Sequence, residues 1–208
     1  MADAVDFKKT QKDLYMPGAK PCIIDVPEMA FIMLDGEGDP NTAASFQAAV
    51  EALYGLSYAI KMSKNGAARP EGYFDFVVPP LEGLWLAGGM GAADKSGFRW
   101  TLMIRQPDFV TAEVYETARG VLAKKKPGLN GSAARFERFA EGLCAQAMHT
   151  GPYDDEPATV GALERFIAAS GCRADFSDTR RHHEIYLGDP RKTVPEKLRT
   201  VIRIPIAR

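Results

Sequence analysis

Twice in this chain an apolar strand run ends in a glycine and proline turn and gives way at once to an amphipathic helix. That repetition limits the architectures open to the sequence. The first occurrence is Phe31-Ile32-Met33-Leu34 followed by Asp35-Gly36-Glu37-Gly38-Asp39-Pro40, and the second is Leu143-Cys144-Ala145-Gln146-Ala147-Met148-His149 followed by Thr150-Gly151-Pro152. After the first turn, Asn41 or Thr42 is placed to cap a helix in which Phe46, Ala49, Val50, Leu53, Leu56, Tyr58 and Ile60 recur at helical spacing. Strands are then expected at Tyr73–Val78 and Leu84–Leu86. After the second turn, Pro157 suits a first helical turn, and Val160, Leu163, Phe166 and Ile167 form an apolar stripe that Gly171 ends. Strands at His183–Leu187 and Leu198–Pro205 follow.

Each cycle therefore reads strand, helix, strand, strand. Between them lie a strand at Phe98–Arg105 and a helix capped by Thr111, and a short helix is expected near residues 134–140. The first thirty residues, interrupted by Pro17, Gly18, Pro21 and Pro27, read as a lead-in. The expected fold class is α+β: one domain over residues 1–208, with a first repeat at about 31–90, a linking strand and helix at about 98–126, and a second repeat at about 141–206. A duplicated strand-helix-strand-strand unit predicts two helix-backed antiparallel sheets around a central ligand cleft.

Charge removes several function classes. With 26 Lys and Arg against 27 Asp and Glu among 208 residues, the chain lacks the basic excess that draws a protein to nucleic acid. Lys124-Lys125-Lys126 stands at the end of an expected helix, where cations suit the helix dipole. No apolar run is long enough to cross a bilayer, and Met1-Ala-Asp-Ala-Val-Asp-Phe-Lys-Lys lacks the features of a signal or transit peptide, so a soluble cytoplasmic protein is expected; separately, a monomer or weak homodimer is expected. Cys22, Cys144 and Cys172 are odd in number and widely spaced, which suits reduced thiols, with Cys144 in the core.

Strand alternation places His182, Glu184 and Tyr186 on one face, and His183, Ile185 and Leu187 on the other. Glu184 thus lies either on the wet face of a sheet or at the polar centre of a pocket. Tyr73, Trp85, Trp100, Tyr115, Tyr153 and Tyr186 fall on or beside elements expected to border the cleft. Rings around one carboxylate suit flat, apolar or cationic molecules, and burial there is expected to raise the pKa of Glu184 and make it a base. Glu82 either pairs with Glu184 as acid and base or meets Arg99 or Arg105 across neighbouring strands. His149, His182 and His183 are the chain's histidines; the last two diverge on a strand, so no metal is expected. Gly88-Gly89-Met90-Gly91 lacks the spacing of a pyrophosphate cradle, and no cofactor is expected.

The segments Pro80-Leu81-Glu82-Gly83-Leu84-Trp85, Met103-Ile104-Arg105-Gln106-Pro107-Asp108-Phe109, Met148-His149-Thr150-Gly151-Pro152-Tyr153 and His183-Glu184-Ile185-Tyr186-Leu187-Gly188-Asp189-Pro190 resemble the stand-alone gyrase-inhibitor-like proteins. The likeness runs from about Phe31 to Arg208. It implies the duplicated fold shared with effector-binding domains of multidrug-responsive transcription activators, and a hydrophobic ligand cleft whose polar centre falls on Glu184. It also implies an activity, since some members hydrolyse cyclopropane-containing DNA-alkylating compounds. Joined to the reading of the residues above, this makes Glu184 the expected catalytic carboxylate, Tyr115 or Tyr153 the expected partner of a developing oxyanion, and Trp85, Trp100, Tyr73, His149, Tyr186 and Glu82 the expected ligand-binding set. The competing reading is a module that senses or sequesters amphipathic compounds unchanged. A third, direct inhibition of a topoisomerase, comes from the family name alone and gains nothing from the near-neutral charge. The activators place a helix-turn-helix ahead of this fold, and about thirty residues precede it here, too few for one.

Overall fold

The computed structural model describes residues 4–65, 69–86, 97–129 and 131–208. In chain order the elements are α1 (Phe7–Thr10), α2 (Lys12–Tyr15), β1 (Cys22–Glu37), α3 (Ala44–Met62), β2 (Leu81–Trp85), β3 (Arg99–Gln106), α4 (Ala112–Lys125), β4 (Arg135–Thr150), α5 (Glu156–Ala169), β5 (Arg173–Ala174), β6 (His182–Tyr186) and β7 (Arg199–Ala207). The turn at Gly88-Gly89-Met90-Gly91 lies outside the described residues.

Two separate sheets do not form. The first half supplies β1, β3 and β2 and the second supplies β6, β7 and β4, but the halves join at both boundaries, β2 to β6 and β4 to β1, in antiparallel ladders. The result is one closed six-stranded barrel, with β5 as a short extra strand on β7. Closure gives each of the six barrel strands a paired neighbour on both sides. The physical reason lies in Phe31-Ile32-Met33-Leu34, an apolar run without alternation, because both faces of β1 are covered. Phe31 and Met33 point into the barrel with Met103, Ile185 and Val201, whereas Ile32 and Leu34 pack under helices.

The strand β4 makes closure possible by its length. Cys144 stands opposite Ile24 of β1 and Pro205 of β7, and Gln146 opposite Cys22 and Arg203, so one strand bridges two neighbours. Its first half replaces the short helix expected near 134–140; pairing with β1 overrides local propensity there. Similarly β1 begins at Cys22 and tolerates Pro27, a position that no pairing with β4 uses. The expected strand at Tyr73–Val78 is instead a loop that meets Val5 through a single bridge at Phe76, with the Val5 amide donating to the Asp75 carbonyl.

Helices cover the barrel on two flanks. The helices α3 and α4 bury Leu53, Leu56, Ile60 and Leu122 against Ile32, Leu102 and Ile104, while α5 buries Leu163 and Ile167 against Ala145, Ala147, Ile202 and Ile204. Between these flanks run β2 and β6, whose outward residues are Leu81, Gly83 and Trp85, and His182, Glu184 and Tyr186. That strip carries Trp85, Glu184 and Tyr186, the residues expected from sequence to line a cleft. The helices α3, α4 and α5 follow the expected spans; Thr111 caps α4, accepting from the Val114 amide at 3.3 Å, whereas Asn41 turns back to Asp39 rather than capping α3.

The barrel interior is partly ionic. Glu82, Arg105, Glu141, Gln146, His183 and Arg203 are all buried inside it. The N-terminal segment fills the remaining space with Phe7, Leu14 and Tyr15 and supplies polar partners. Gln146 donates to the Asp13 carbonyl at 2.6 Å, Arg203 donates to the Leu14 carbonyl, Arg105 donates to Gln11, and Tyr15 donates to Glu82 at 3.2 Å. The lead-in is therefore an ordered plug that spares buried charges from standing unpaired.

Candidate functional site

On the outer face of β6, alternation brings His182, Glu184 and Tyr186 side by side, and Glu184 is held from both neighbours. His182 Nε2 lies 3.0 Å from Oε1, and the Tyr186 hydroxyl donates to Oε2 at 2.7 Å. The Trp85 indole N–H donates in turn to the Tyr186 oxygen at 3.1 Å. Directly opposite Glu184 in the ladder is Gly83. A Cβ there would sit 3.1 Å from Trp85 Nε1 and 3.2 Å from the Tyr186 oxygen, so the bare backbone makes room for this hydrogen-bonded chain. The Glu184 side chain retains 12% exposure, so it is neither an open surface group nor sealed in.

Aromatic rings wall the carboxylate. Tyr153 meets Tyr186 edge to face at 5.8 Å, and Trp85 stands against Phe46 of α3 at 6.3 Å and Phe98 at 6.0 Å. Tyr153 is delivered by the turn after β4. Gly151 takes a φ of 137°, a value that favours glycine, and His149 bonds Thr159 of α5 at 2.9 Å and the Pro152 carbonyl at 3.0 Å. His149 thereby pins the turn to α5, and its ring nitrogens are both occupied.

Electrostatics run opposite to the expectation for Glu184. Burial pushes its pKa up, but the hydrogen bonds and charge interaction from His182, with the hydrogen bond from Tyr186, outweigh burial and hold it below the usual carboxylate range. Burial raises Tyr153 to about 12, helped by Glu156, Glu184 and Asp189, and raises Tyr186 well above its ordinary value, helped by Glu184 and Glu156. The site is therefore an anion with neutral phenols beside it. No group of three or more His, Cys, Asp or Glu among the described residues is arranged to hold a metal ion.

Of the residues singled out from sequence, the structure brings together Glu184, Tyr186, Trp85 and Tyr153, with His149 supporting Tyr153. Others lie elsewhere. Tyr115 is on the buried face of α4, where its hydroxyl donates to the Ala134 carbonyl at 2.5 Å, and Tyr73 donates to the Lys61 carbonyl at 2.7 Å. Trp100 is packed under Phe46, its indole donating to the Gly38 carbonyl at 3.3 Å and its ring filling the space over Gly36. Glu82 points into the barrel, where its Oε2 stands 3.0 Å from His183 Nε2. It is on the opposite face of the wall from Glu184, so the two share no proton, and its partners are His183 and Tyr15 rather than an arginine across the sheet. Phe46, Gly83 and His182 complete the site without having been singled out as site residues. Period-two alternation had already put His182 beside Glu184, whereas the part of Gly83 depends on a neighbouring strand.

Comparison with known proteins shows the family and the fold. The signature of the GyrI-like small molecule binding domain matches residues 19–207. None of the curated proteins matches the chain. Among solved structures, a hydrolase from Listeria innocua is 48% identical with a TM-score of 0.90, over 98% of this chain and 100% of that one. An uncharacterized conserved protein from the same organism is 50% identical with a TM-score of 0.92 over the same shares. The C-terminal domain of EcmrR shares the fold at 12% identity and a TM-score of 0.55, covering 90% of this chain and 97% of that one. Both the motif blocks and the fold assign the chain to one lineage: it belongs to the GyrI-like small-molecule-binding family.

Proposed function

We propose that the cleft over β2 and β6 binds planar, amphipathic small molecules and hydrolyses those carrying a strained cyclopropane conjugated to a carbonyl, as a detoxifying activity. The observation that carries this reading is a carboxylate, Glu184, held anionic in a partly open aromatic cleft by His182 and Tyr186. The hydrolase name of the Listeria innocua relative at 48% identity supports a hydrolytic outcome.

In the proposed reaction, water bound to a free lone pair of Glu184 attacks a cyclopropane carbon. A C–O bond forms, the C–C bond to the conjugated position breaks, and its electron pair moves to the remote carbonyl oxygen. Glu184 accepts the proton of the attacking water and returns it to the product, so the net change is addition of one water. Tyr153, a phenol kept protonated by burial and nearby acids, donates to the developing oxyanion. Trp85 and Phe46 offer ring surface to the planar ligand. Tyr115, whose hydroxyl is committed to a backbone carbonyl, has no part in this scheme.

A second reading has its own support. The lowered pKa of Glu184 suits a countercharge for a lipophilic cation that leaves unchanged. Incubation with a cyclopropane-containing alkylator, followed by product analysis, separates the two. The hydrolytic reading expects a ring-opened water adduct in catalytic excess over protein. Recovery of unchanged compound with stoichiometric binding would establish the binding module instead.

A further inference from the structure

We infer that His182 is the positioning residue of the cleft, presenting an Nε2–H to Glu184 and fixing the plane of its carboxylate. This inference rests on Glu184 being the working group of the site, as proposed above.

Three observations carry it. The His182 side chain is 1% exposed, so its ring is enclosed by protein and has little freedom to turn away. Its Nε2 is 3.0 Å from Oε1 of Glu184, two residues along the same strand face. An ionised carboxylate only accepts, so at that distance the hydrogen belongs to Nε2. Its Nδ1 is buried and has no hydrogen-bond partner among the described residues, where Glu184 is the polar contact that orients the ring.

The Tyr186 hydroxyl takes the other oxygen at 2.7 Å, so the carboxylate is gripped at both ends along β6. A single grip leaves a carboxylate free to rotate about its last torsion; two grips from opposite sides define one plane. The lone pairs left over are then presented in a fixed direction to water or ligand, which is the condition for effective positioning. The other ionisable groups acting here are Tyr186 on the same face, His183 behind the strand, and Glu156, whose charge reaches Tyr153 and Tyr186. His182 is the ring that touches the carboxylate.

The test uses the full-length protein and nuclear magnetic resonance. In the wild type at neutral pH, 15N spectra of the imidazole are expected to show His182 protonated on Nε2. A bare Nε2 would overturn the inference without any variant. His182→Leu, checked for native amide spectra, is expected to raise the ionisation midpoint of Glu184 by about one pH unit, a tenfold change in its ionisation constant. His182→Gln, which can restore a donor near the same place, should recover most of that change. If His182→Leu leaves the midpoint in place, or His182→Gln fails to restore it, the positioning role falls. These readouts are independent of turnover. A wild type that leaves a cyclopropane alkylator intact would remove the hydrolytic reading while the tautomer and titration results still decide the part played by His182. Where turnover is observed, kcat in His182→Leu is expected to fall about tenfold with KM nearly unchanged.

Discussion

The two faces of β6 carry adjacent histidines and each binds a carboxylate, yet the two sites are built for different ends. On the inner face, His183 Nδ1 lies 2.9 Å from Glu141 Oε2 and its Nε2 lies 3.0 Å from Glu82 Oε2, while Arg203 reaches Glu141 at 3.2 Å. All of these side chains are almost wholly buried, and the N-terminal plug adds further partners. On the outer face, Glu184 has two donors, aromatic walls and a residual opening. The contrast shows that a buried charge does not by itself mark a functional site. The inner charges are neutralised by one another and closed to any ligand, whereas the outer carboxylate keeps its charge and some accepting capacity facing the cleft.

Deleting one member of the inner cluster should give the largest effect. Glu141→Ala leaves Arg203 and His183 buried beside each other without their shared anion, a change that typically costs about 3–5 kcal/mol. Urea unfolding is expected to show that loss, while the folded fraction still binds at the cleft. A cost below about 1 kcal/mol would mean that the interior ions are not coupled, and the distinction between the faces would dissolve.

The pH dependence of stability follows from the same cluster. Burial opposes a charged His183, but Glu141 and Glu82 outweigh it and raise its pKa from 6.5 to about 9. A raised folded-state pKa stabilises fully below the unfolded value, so this contribution is present below about pH 6.5 and is lost as pH rises through about 9, roughly 3 kcal/mol in all. Burial likewise opposes an ionised Glu141, but His183 and Arg203 lower its pKa from 4.5 to about 2, so that contribution is present above about pH 4.5 and is lost as pH falls through about 2. Unfolding midpoints across the range are expected to be highest between these limits. A midpoint that does not decline between pH 6.5 and 9 would show that His183 is not the charged clamp of the interior.

On the outer face the effect should appear in chemistry rather than in stability. Glu184→Gln keeps the shape of the side chain but removes the anion, and turnover of a cyclopropane alkylator is expected to fall about a hundredfold or more. Stability should change by no more than about 1 kcal/mol, because the site retains some access to solvent. Steady-state kinetics beside urea unfolding reads both. Destabilisation as large as that of Glu141→Ala would make Glu184 a structural ion like those inside.

Much of this contrast was legible in residue spacing. Alternation along His182 to Tyr186 separates the two faces, and the odd interval between Glu82 and Trp85 puts that acid and that ring on opposite sides of β2. The closure of the barrel was hidden because it depends on which strands meet across long loops; only the unbroken run Phe31 to Leu34 hinted that both faces of β1 are covered. Tyr73, Trp100 and Tyr115 looked like pocket rings because their partners, the carbonyls of Lys61, Gly38 and Ala134, are remote or on other elements. Burial alone predicts a raised pKa for Glu184, and the donors His182 and Tyr186 on either side of it reverse that direction.

The smallest expected effect concerns the wall itself. Gly83→Ala adds a Cβ on the outer side of β2, 3.1 Å from Trp85 Nε1 and 3.2 Å from the Tyr186 oxygen, contacts tight enough that one ring must give by a few tenths of an ångström. Overpacking of this kind costs about 1 kcal/mol or somewhat more. The disturbance should reach Glu184 through Tyr186, which bonds both Trp85 and the carboxylate. The indole N–H resonance of Trp85 is expected to shift, with turnover reduced severalfold, while the inner-face resonance of His183 stays in place. If His183 moves as much as Trp85, the strand transmits strain through the wall and the two faces act as one unit. If neither moves, the close approach of Trp85 and Tyr186 over Gly83 is not what holds the outer carboxylate in position.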